Sequence, residues 1–257
     1  MLKNIAPEGT HICVILDTCL TSLNLEKTLE SVIYLLNAHL SLCHSNSVSL
    51  FANSTLLSPC ATQSSSNPPS INFDFWNLLN QVNSSLVNLS HNQEYLAKSL
   101  SKALLLLNSY SNLEKRIIVI SSSNDIPTLY VPVMNSIFAA QKLSIAIDVV
   151  AISNQFDRSF LQQAANITNG IFLVVDDVKQ LLPVLIYSFL PDVADRDSLG
   201  VVGNDTVDFK TVCFCCSNAV SIGFVCSICL SVFCNSLDIC LTCKTVFKDK
   251  DTKMVDR

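Results

Sequence analysis

Ile12-Cys13-Val14-Ile15-Leu16 runs straight into Asp17-Thr18-Cys19-Leu20-Thr21. A run that is apolar at every position, rather than at alternate ones, suits a strand covered on both faces. Such strands lie in parallel sheets sandwiched between helices, so this stretch sets the expectation for the fold. The next segments agree with it. Leu29, Val32, Ile33, Leu36 and Leu40 recur at helical spacing, with Glu26 and Glu30 in the early turns. Val48 to Ala52 reads as a second strand. Residues 58–70, polar and proline-containing, read as a loop, and 73–89 as a weak helix rich in Asn and Ser.

The alternation continues. Tyr95, Leu96, Leu100, Ala103, Leu104 and Leu107 mark one helix face, and Ile117–Ile120 a short strand. Val133, Ile137, Phe138 and Ala140 suit a helix after Pro132, and residues 145–151 a strand. Phe160 to Thr168 suits a helix, with Gly170 where a helix-ending glycine is expected. Ile171–Val175 reads as a strand, and 177–190 as a helix broken or bent near Pro183. Strands alternating with helices require crossover connections. The expected fold class is therefore α/β, a mainly parallel sheet flanked by helices. The polar stretch 191–206 reads as a boundary, giving an α/β domain over 1–192, a linker over 193–206, a cysteine-rich module over 207–248 and a charged tail over 249–257.

Composition narrows the function. The 257 residues suffice for one large domain and a small one. Apolar residues make up 49%, charged residues 14%, and the net charge is −5, which argues against binding nucleic acid by phosphate neutralisation. The opening Met1-Leu2-Lys3-Asn4-Ile5-Ala6-Pro7 has no long apolar core and reads as carrying no secretory signal. No apolar run reaches the roughly 18 residues of a membrane helix. The mean hydropathy of +0.41 then implies a buried core and a large partner interface.

Cysteine is concentrated at one end. Eight of the 12 cysteines fall between Cys213 and Cys243; Cys13, Cys19, Cys43 and Cys60 are scattered. Without a secretory signal, thiolate ligands in a reducing compartment fit better than a disulfide scaffold. The order is Cys213-x2-Cys216-x9-Cys226-x2-Cys229-x4-Cys234-x5-Cys240-x2-Cys243, with Cys215 inside the first pair. A CxxC step turns two sulfurs toward one ion and leaves two tetrahedral positions for another pair. Cys226, Cys229, Cys240 and Cys243 complete one such zinc site. Cys213, Cys216 and Cys234 give three ligands of a second, and Cys215 is the remaining candidate for its fourth, despite the awkward adjacency of Cys215 and Cys216. The alternative for individual cysteines is a small buried hydrophobe. So short a segment builds little core, so metal is expected to supply its folding energy. It contains no histidine to act as a base beside an open zinc position, so the expected metal is structural.

Enzyme signatures are missing. There is no G-x-x-x-x-G-K-[ST] loop, G-x-S-x-G elbow or H-E-x-x-H pair, and five glycines leave little for a phosphate-cradling loop. His11, His39, His44 and His91 form no ligand pattern and are expected at surface or half-buried positions. The expectation is no catalytic residues and no turnover.

Asp17-Thr18-Cys19-Leu20-Thr21 is similar to the Asp-x-Ser-x-Ser loop of von Willebrand A domains, which coordinates a divalent ion. Hard cations want oxygen, and Cys19 supplies sulfur. The loop after residue 120 reads Ser121-Ser122-Ser123-Asn124-Asp125 rather than that family's Asp-Gly. The expectation is a retained fold without the ion.

The wider sequence resembles one family. The carrying stretches are Ser99–Ala103, Ile137–Lys142 with Ile147-Asp148, Leu161–Thr168 with Gly170, and Phe189–Asp192. The most specific are Cys213-Phe214-Cys215-Cys216, Ile222 through Cys234, and Ile239-Cys240-Leu241-Thr242-Cys243. Together they resemble the smaller von Willebrand A-type, zinc-binding core subunit of the general transcription factor TFIIH, the thirty-four-kilodalton subunit. The resemblance covers nearly the whole chain and is tightest over 130–247. The family typically has His at the position of Cys216, a substitution that keeps a zinc donor.

That resemblance implies a von Willebrand A-like domain and a nuclear, non-catalytic subunit serving transcription initiation by RNA polymerase II and nucleotide excision repair. It implies zinc as cofactor and, as main partner, the larger von Willebrand A-type subunit that regulates the repair helicase. A RING-like ubiquitin ligase component is the alternative, set back by the missing fourth cysteine pair. An adhesion-type domain would need an oxygen-only loop where Cys19 stands.

Overall fold

Strand β1 (Thr10–Asp17) does lie at the centre of a sheet covered on both sides. The computed structural model describes residues 9–17, 22–52, 55–57, 80, 95–110, 113–123, 129–152, 159–201, 211–216, 219–220, 222–229 and 231–247. After β1 come α1 (Ser22–Leu42), β2 (Ser47–Ala52), β3 (Thr55–Leu57), α2 (Tyr95–Asn108), β4 (Glu114–Ser121), α3 (Tyr130–Lys142), β5 (Ala146–Ile152), α4 (Ser159–Ile167) and β6 (Phe172–Val175). The sheet order is β3-β2-β1-β4-β5-β6, parallel throughout except for the edge strand β3. This is the doubly wound arrangement, with its switch point between β1 and β4, and the fold is von Willebrand A-like.

The apolar run of β1 divides between two cores, as a strand with period two must. Ile12, Val14 and Leu16 meet Leu25, Leu29, Val32 and Leu36 of α1 on one face. Cys13 and Ile15 meet Leu100 and Leu104 of α2 and Ile137 of α3 on the other. The readings of residues 58–70 and 73–89 fall almost wholly outside the described residues.

Three expectations are corrected. The helix-ending left-handed residue after α4 is Asn169, with φ of 58°, not Gly170. Gly170 is required for space: a Cβ there would stand 2.0 Å from the carbonyl oxygen of Ile147. His11 and His39 are buried, each 1% exposed, because polar groups of the sheet receive them. The His11 ring nitrogens lie 2.6 Å and 3.0 Å from the Ser47 and Ser49 hydroxyls of β2, and His39 Nε2 donates to Thr10 O.

The third concerns the stretch expected to link the domains. Residues 178–189 form a 3-10 turn, a short helix α5 (Leu181–Val184) and a π-helical turn, so the irregularity expected at Pro183 is present. The chain then stays on the domain. A 3-10 turn at 193–195 leads into α6 (Arg196–Leu199), and Arg196 is buried. Its guanidinium grips both oxygens of buried Asp148 at 2.9 and 2.5 Å. Arg116, also buried, donates to the carbonyls of Phe189 and Pro191 and lies 3.7 Å from the same carboxylate. Two arginines and one aspartate thus pin residues 189–196 to β4 and β5. No helix among the described residues is long and apolar enough to cross a membrane.

Candidate metal centre

The cysteine-rich segment is built from two short antiparallel pairs, β7 (Thr211–Val212) with β8 (Ala219–Val220) and β9 (Phe224–Val225) with β10 (Val232–Phe233). Its apolar centre is small: Phe233 with Cys226 and Cys240, edged by Phe214, Leu237 and Phe247. Gly223 enters β9 where a Cβ would meet Val232 Cγ1 at 2.5 Å, so the two strands close only over glycine.

All eight cysteines singled out from sequence are brought into two groups of four. Cys213, Cys215, Cys216 and Cys234 form one, and Cys226, Cys229, Cys240 and Cys243 the other; within each the sulfurs lie within 4.8 Å of one another. Cys213 follows β7 and Cys215 and Cys216 occupy the turn after it, while Cys234 follows β10. The adjacent residues Cys215 and Cys216 do converge on one point. In the second group two turns face each other. Cys226–Cys229 is closed by the Cys226 N–H donating to Ser231 O, and Cys240–Cys243 by the Cys240 N–H donating to Thr245 O. Lys244, with φ of 61°, lets the second turn return.

The donor chemistry of both sets suits a tetrahedral ion, and the spacing of the Cys226 group matches one. Metal–sulfur bonds near 2.3 Å place neighbouring sulfurs about 3.8 Å apart. Cys226–Cys243 is 3.7 Å and Cys229–Cys240 3.5 Å. In the first group Cys216–Cys234 is 4.0 Å, Cys215–Cys234 3.4 Å and Cys213–Cys215 2.9 Å. Soft sulfur donors in fours suit zinc and exclude magnesium or calcium. Each cluster can therefore hold a metal ion.

The surroundings favour the thiolate, the form that binds metal, at Cys213, Cys229 and Cys243 and oppose it at Cys215, Cys226 and Cys234. The Ser231 hydroxyl, 3.2 Å away, and the Ser231 N–H bring Cys229 down to about 6. Thr245 does the same for Cys243 by hydroxyl and N–H, lowering it. Burial opposes ionisation of Cys213, but the Cys215 thiol and the N–H groups of Cys215, Cys216 and Cys234 point at its sulfur and bring it to about 6. Cys234 is pushed up to about 12, first by Cys215 and then by Cys213. The hydroxyls of Ser231 and Thr245, each two residues past a ligand cysteine, were not singled out from sequence. The repeated spacing Cys229-x-Ser231 and Cys243-x-Thr245 is the signal that carries them.

The von Willebrand-type loop falls only partly among the described residues. Asp17 ends β1 opposite Ser121 of β4, at the switch point. Cys19, Thr21, Asn124 and Asp125 lie outside the described residues. At the opposite ends of the strands a cavity of about 300 Å³ is lined by Glu114, Lys115, Gln141 and Thr168, with no histidine or cysteine among its lining residues.

A von Willebrand A-like domain followed by a short module with two four-sulfur clusters defines a class of protein: an α/β scaffold carrying an appendage able to hold metal. Within that class the family is specific. The sequence model of transcription factor Tfb4 matches residues 65–244, and the chain belongs to that family. It is similar to the general transcription and DNA repair factor IIH subunit tfb4 of Schizosaccharomyces pombe, 43% identical over 59% of this chain and 52% of the relative. It is 30% identical to subunit TFB4 of Saccharomyces cerevisiae over 80% of this chain and 72% of the relative. With the general transcription factor IIH subunit 3 of Dictyostelium discoideum it shares 38% identity over 63% of this chain and 46% of the relative. The chain spans about half the length of several curated relatives it matches. The crystal structure of the TFIIH p34 N-terminal domain shares the fold, with a TM-score of 0.60 and 24% identity over 71% of this chain and 98% of that one.

Proposed function

We propose that this chain is a nuclear, non-catalytic subunit of the TFIIH core, acting in RNA polymerase II transcription initiation and nucleotide excision repair by holding the larger von Willebrand A-type subunit. The observation that carries this is the match of the Tfb4 family model across residues 65–244, scaffold and cysteine module together, beside relatives named as subunits of a transcription and DNA repair factor. Zinc is the proposed cofactor, bound by Cys213, Cys215, Cys216 and Cys234 and by Cys226, Cys229, Cys240 and Cys243. Zinc supplies four bonds to sulfur at each site, and with them the folding energy that a core of Phe233 and its few neighbours lacks. The domain organisation proposed is a scaffold reaching to Leu199 and a module from 207 to 248.

Surface chemistry supports a holding role. Leu105 of α2 and Phe138 of α3 are exposed on neighbouring helices, at 75% and 47%. In the module Ile222, Phe224, Val225 and Ile228 are all exposed. Exposed apolar side chains, where they form a continuous patch, mark surfaces that are covered in an assembly. The scaffold's outer helices are the proposed seat for the larger subunit's own zinc module.

The test is affinity purification of the tagged chain from nuclear extract, with its companions identified by mass spectrometry. The expected companions are the TFIIH core subunits, and depletion should reduce transcription and repair together. Recovery of ubiquitin-conjugating enzymes without TFIIH subunits would favour the RING-like alternative.

A further inference from the structure

The two sulfur clusters differ in their access to solvent. In the cluster of Cys226, Cys229, Cys240 and Cys243, two residues are buried and two half-buried. In the other, Cys213 is buried and Cys234 half-buried, but Cys215 and Cys216 are exposed. Spacing differs too. Cys213 and Cys215 Sγ are 2.9 Å apart, whereas the contacts of the buried cluster are 3.5 and 3.7 Å, near the value for four thiolates around one ion. One pair in the exposed cluster is thus held closer than coordination alone asks. Its outer member, Cys215, is exposed and reachable by small polar oxidants, and oxidation of cysteine needs such access.

We propose that the Cys213 cluster is also a redox modification site, where a hydroperoxide oxidises Cys215 and a Cys213–Cys215 disulfide closes, while the Cys226 cluster stays reduced. The inference rests on the reading of both clusters as zinc sites. Cys215, once it has given up its proton, attacks one peroxide oxygen; the O–O bond breaks, a sulfenic acid forms, and the other oxygen leaves as water after taking a proton. The Cys213 thiolate then attacks the Cys215 sulfur; the S–S bond forms, the S–O bond breaks, and hydroxide leaves as a second water after protonation. Two thiolates lose two electrons, and one hydrogen peroxide with two protons becomes two waters. Cys216 and Cys234 then remain, too few to satisfy a four-coordinate structural site.

The consequence reaches the scaffold. Phe214 lies between the two cysteines and packs edge-on against Tyr130 at the start of α3, with ring centroids 6.3 Å apart. Tyr130 in turn meets Phe160 of α4 at 5.1 Å. Closing a ring around Phe214 turns it relative to Tyr130 and loosens the described aromatic contact between module and scaffold.

The experiment uses the full zinc-loaded chain. Its metal content is measured first; two zinc ions per chain, one for each four-sulfur group, are expected. Hydrogen peroxide is then titrated in, zinc release is followed with a chromogenic chelator, and disulfides are mapped by peptide mass spectrometry. The expected result is loss of half the zinc, a Cys213–Cys215 disulfide, faster amide exchange around Tyr130, and recovery with dithiothreitol and zinc. Release from both clusters at one dose, pairing of Cys215 with Cys234, or no disulfide would overturn it. A chain that starts with less zinc counts against the metal reading instead, and the disulfide map still decides the thiol chemistry.

Discussion

Asp148 accepts from both guanidinium nitrogens of Arg196 and from the Ile171 N–H, with Arg116 on its other side, and all three charged groups are buried. Removing one partner of a buried ion pair leaves a charge uncompensated and costs roughly 3–5 kcal/mol. Arg196→Met should lower the stability of the scaffold by about that amount in urea unfolding; an unchanged midpoint would mean that residues 193–199 are not anchored there. His11 carries a pH dependence. Burial first, and nearby His39 second, lower it from 6.5 to about 4. Between those values the unfolded chain binds the proton and the folded chain does not. Stability is therefore full above pH 6.5 and is lost as pH falls toward 4, by roughly 3 kcal/mol for this residue. His11→Gln should flatten the decline of the urea midpoint between pH 6.5 and 4.5, and curves that stay parallel would count against it. Neither site was legible in the sequence. Arg196 looked like one charge in a polar linker because its partner is distant along the chain, and His11 read as surface or half-buried because its receiving hydroxyls, Ser47 and Ser49, belong to another strand. The eight cysteines of the two groups were legible because CxxC steps recur within the one stretch from Cys213 to Cys243.

At the scale of elements, β1, β4 and β5 were readable because strands buried on both faces are apolar at every position. The helices from Ser22, Tyr95 and Ser159 were readable from their buried stripes. What escaped was local geometry set by neighbours. β3 is three residues long and pairs antiparallel at the edge, with no pattern of its own. The turn after α4 needs glycine at 170 because the Ile147 carbonyl stands beside it, a contact made across the sheet rather than along the chain. The module is the element most dependent on metal. Cys229→Ser takes one of four sulfurs from the buried cluster and the thiolate nearest Ser231. It should lower bound zinc by one ion per chain and expose residues 213–243 to protease while the scaffold keeps its circular dichroism. A variant that keeps full zinc and protease resistance would show that Cys229 is not a ligand.

The whole molecule joins a scaffold with a large two-sided core to a module with almost none. Tyr130 and Phe214 form a described aromatic contact between them. A chain that is 49% apolar and only 14% charged leaves side chains such as Leu105, Phe138 and Ile228 exposed, and it should be better behaved beside a partner than alone. An interface of standard size, about 1,600 Å² in total, would cover surface of this kind. Holding is the central claim, and binding is its direct measure. The zinc-loaded chain should be titrated calorimetrically with the purified larger von Willebrand A-type subunit of TFIIH. A one-to-one complex with submicromolar Kd is the predicted result, and a well-folded, zinc-loaded chain that gives no binding heat and no co-elution with that subunit would contradict the account.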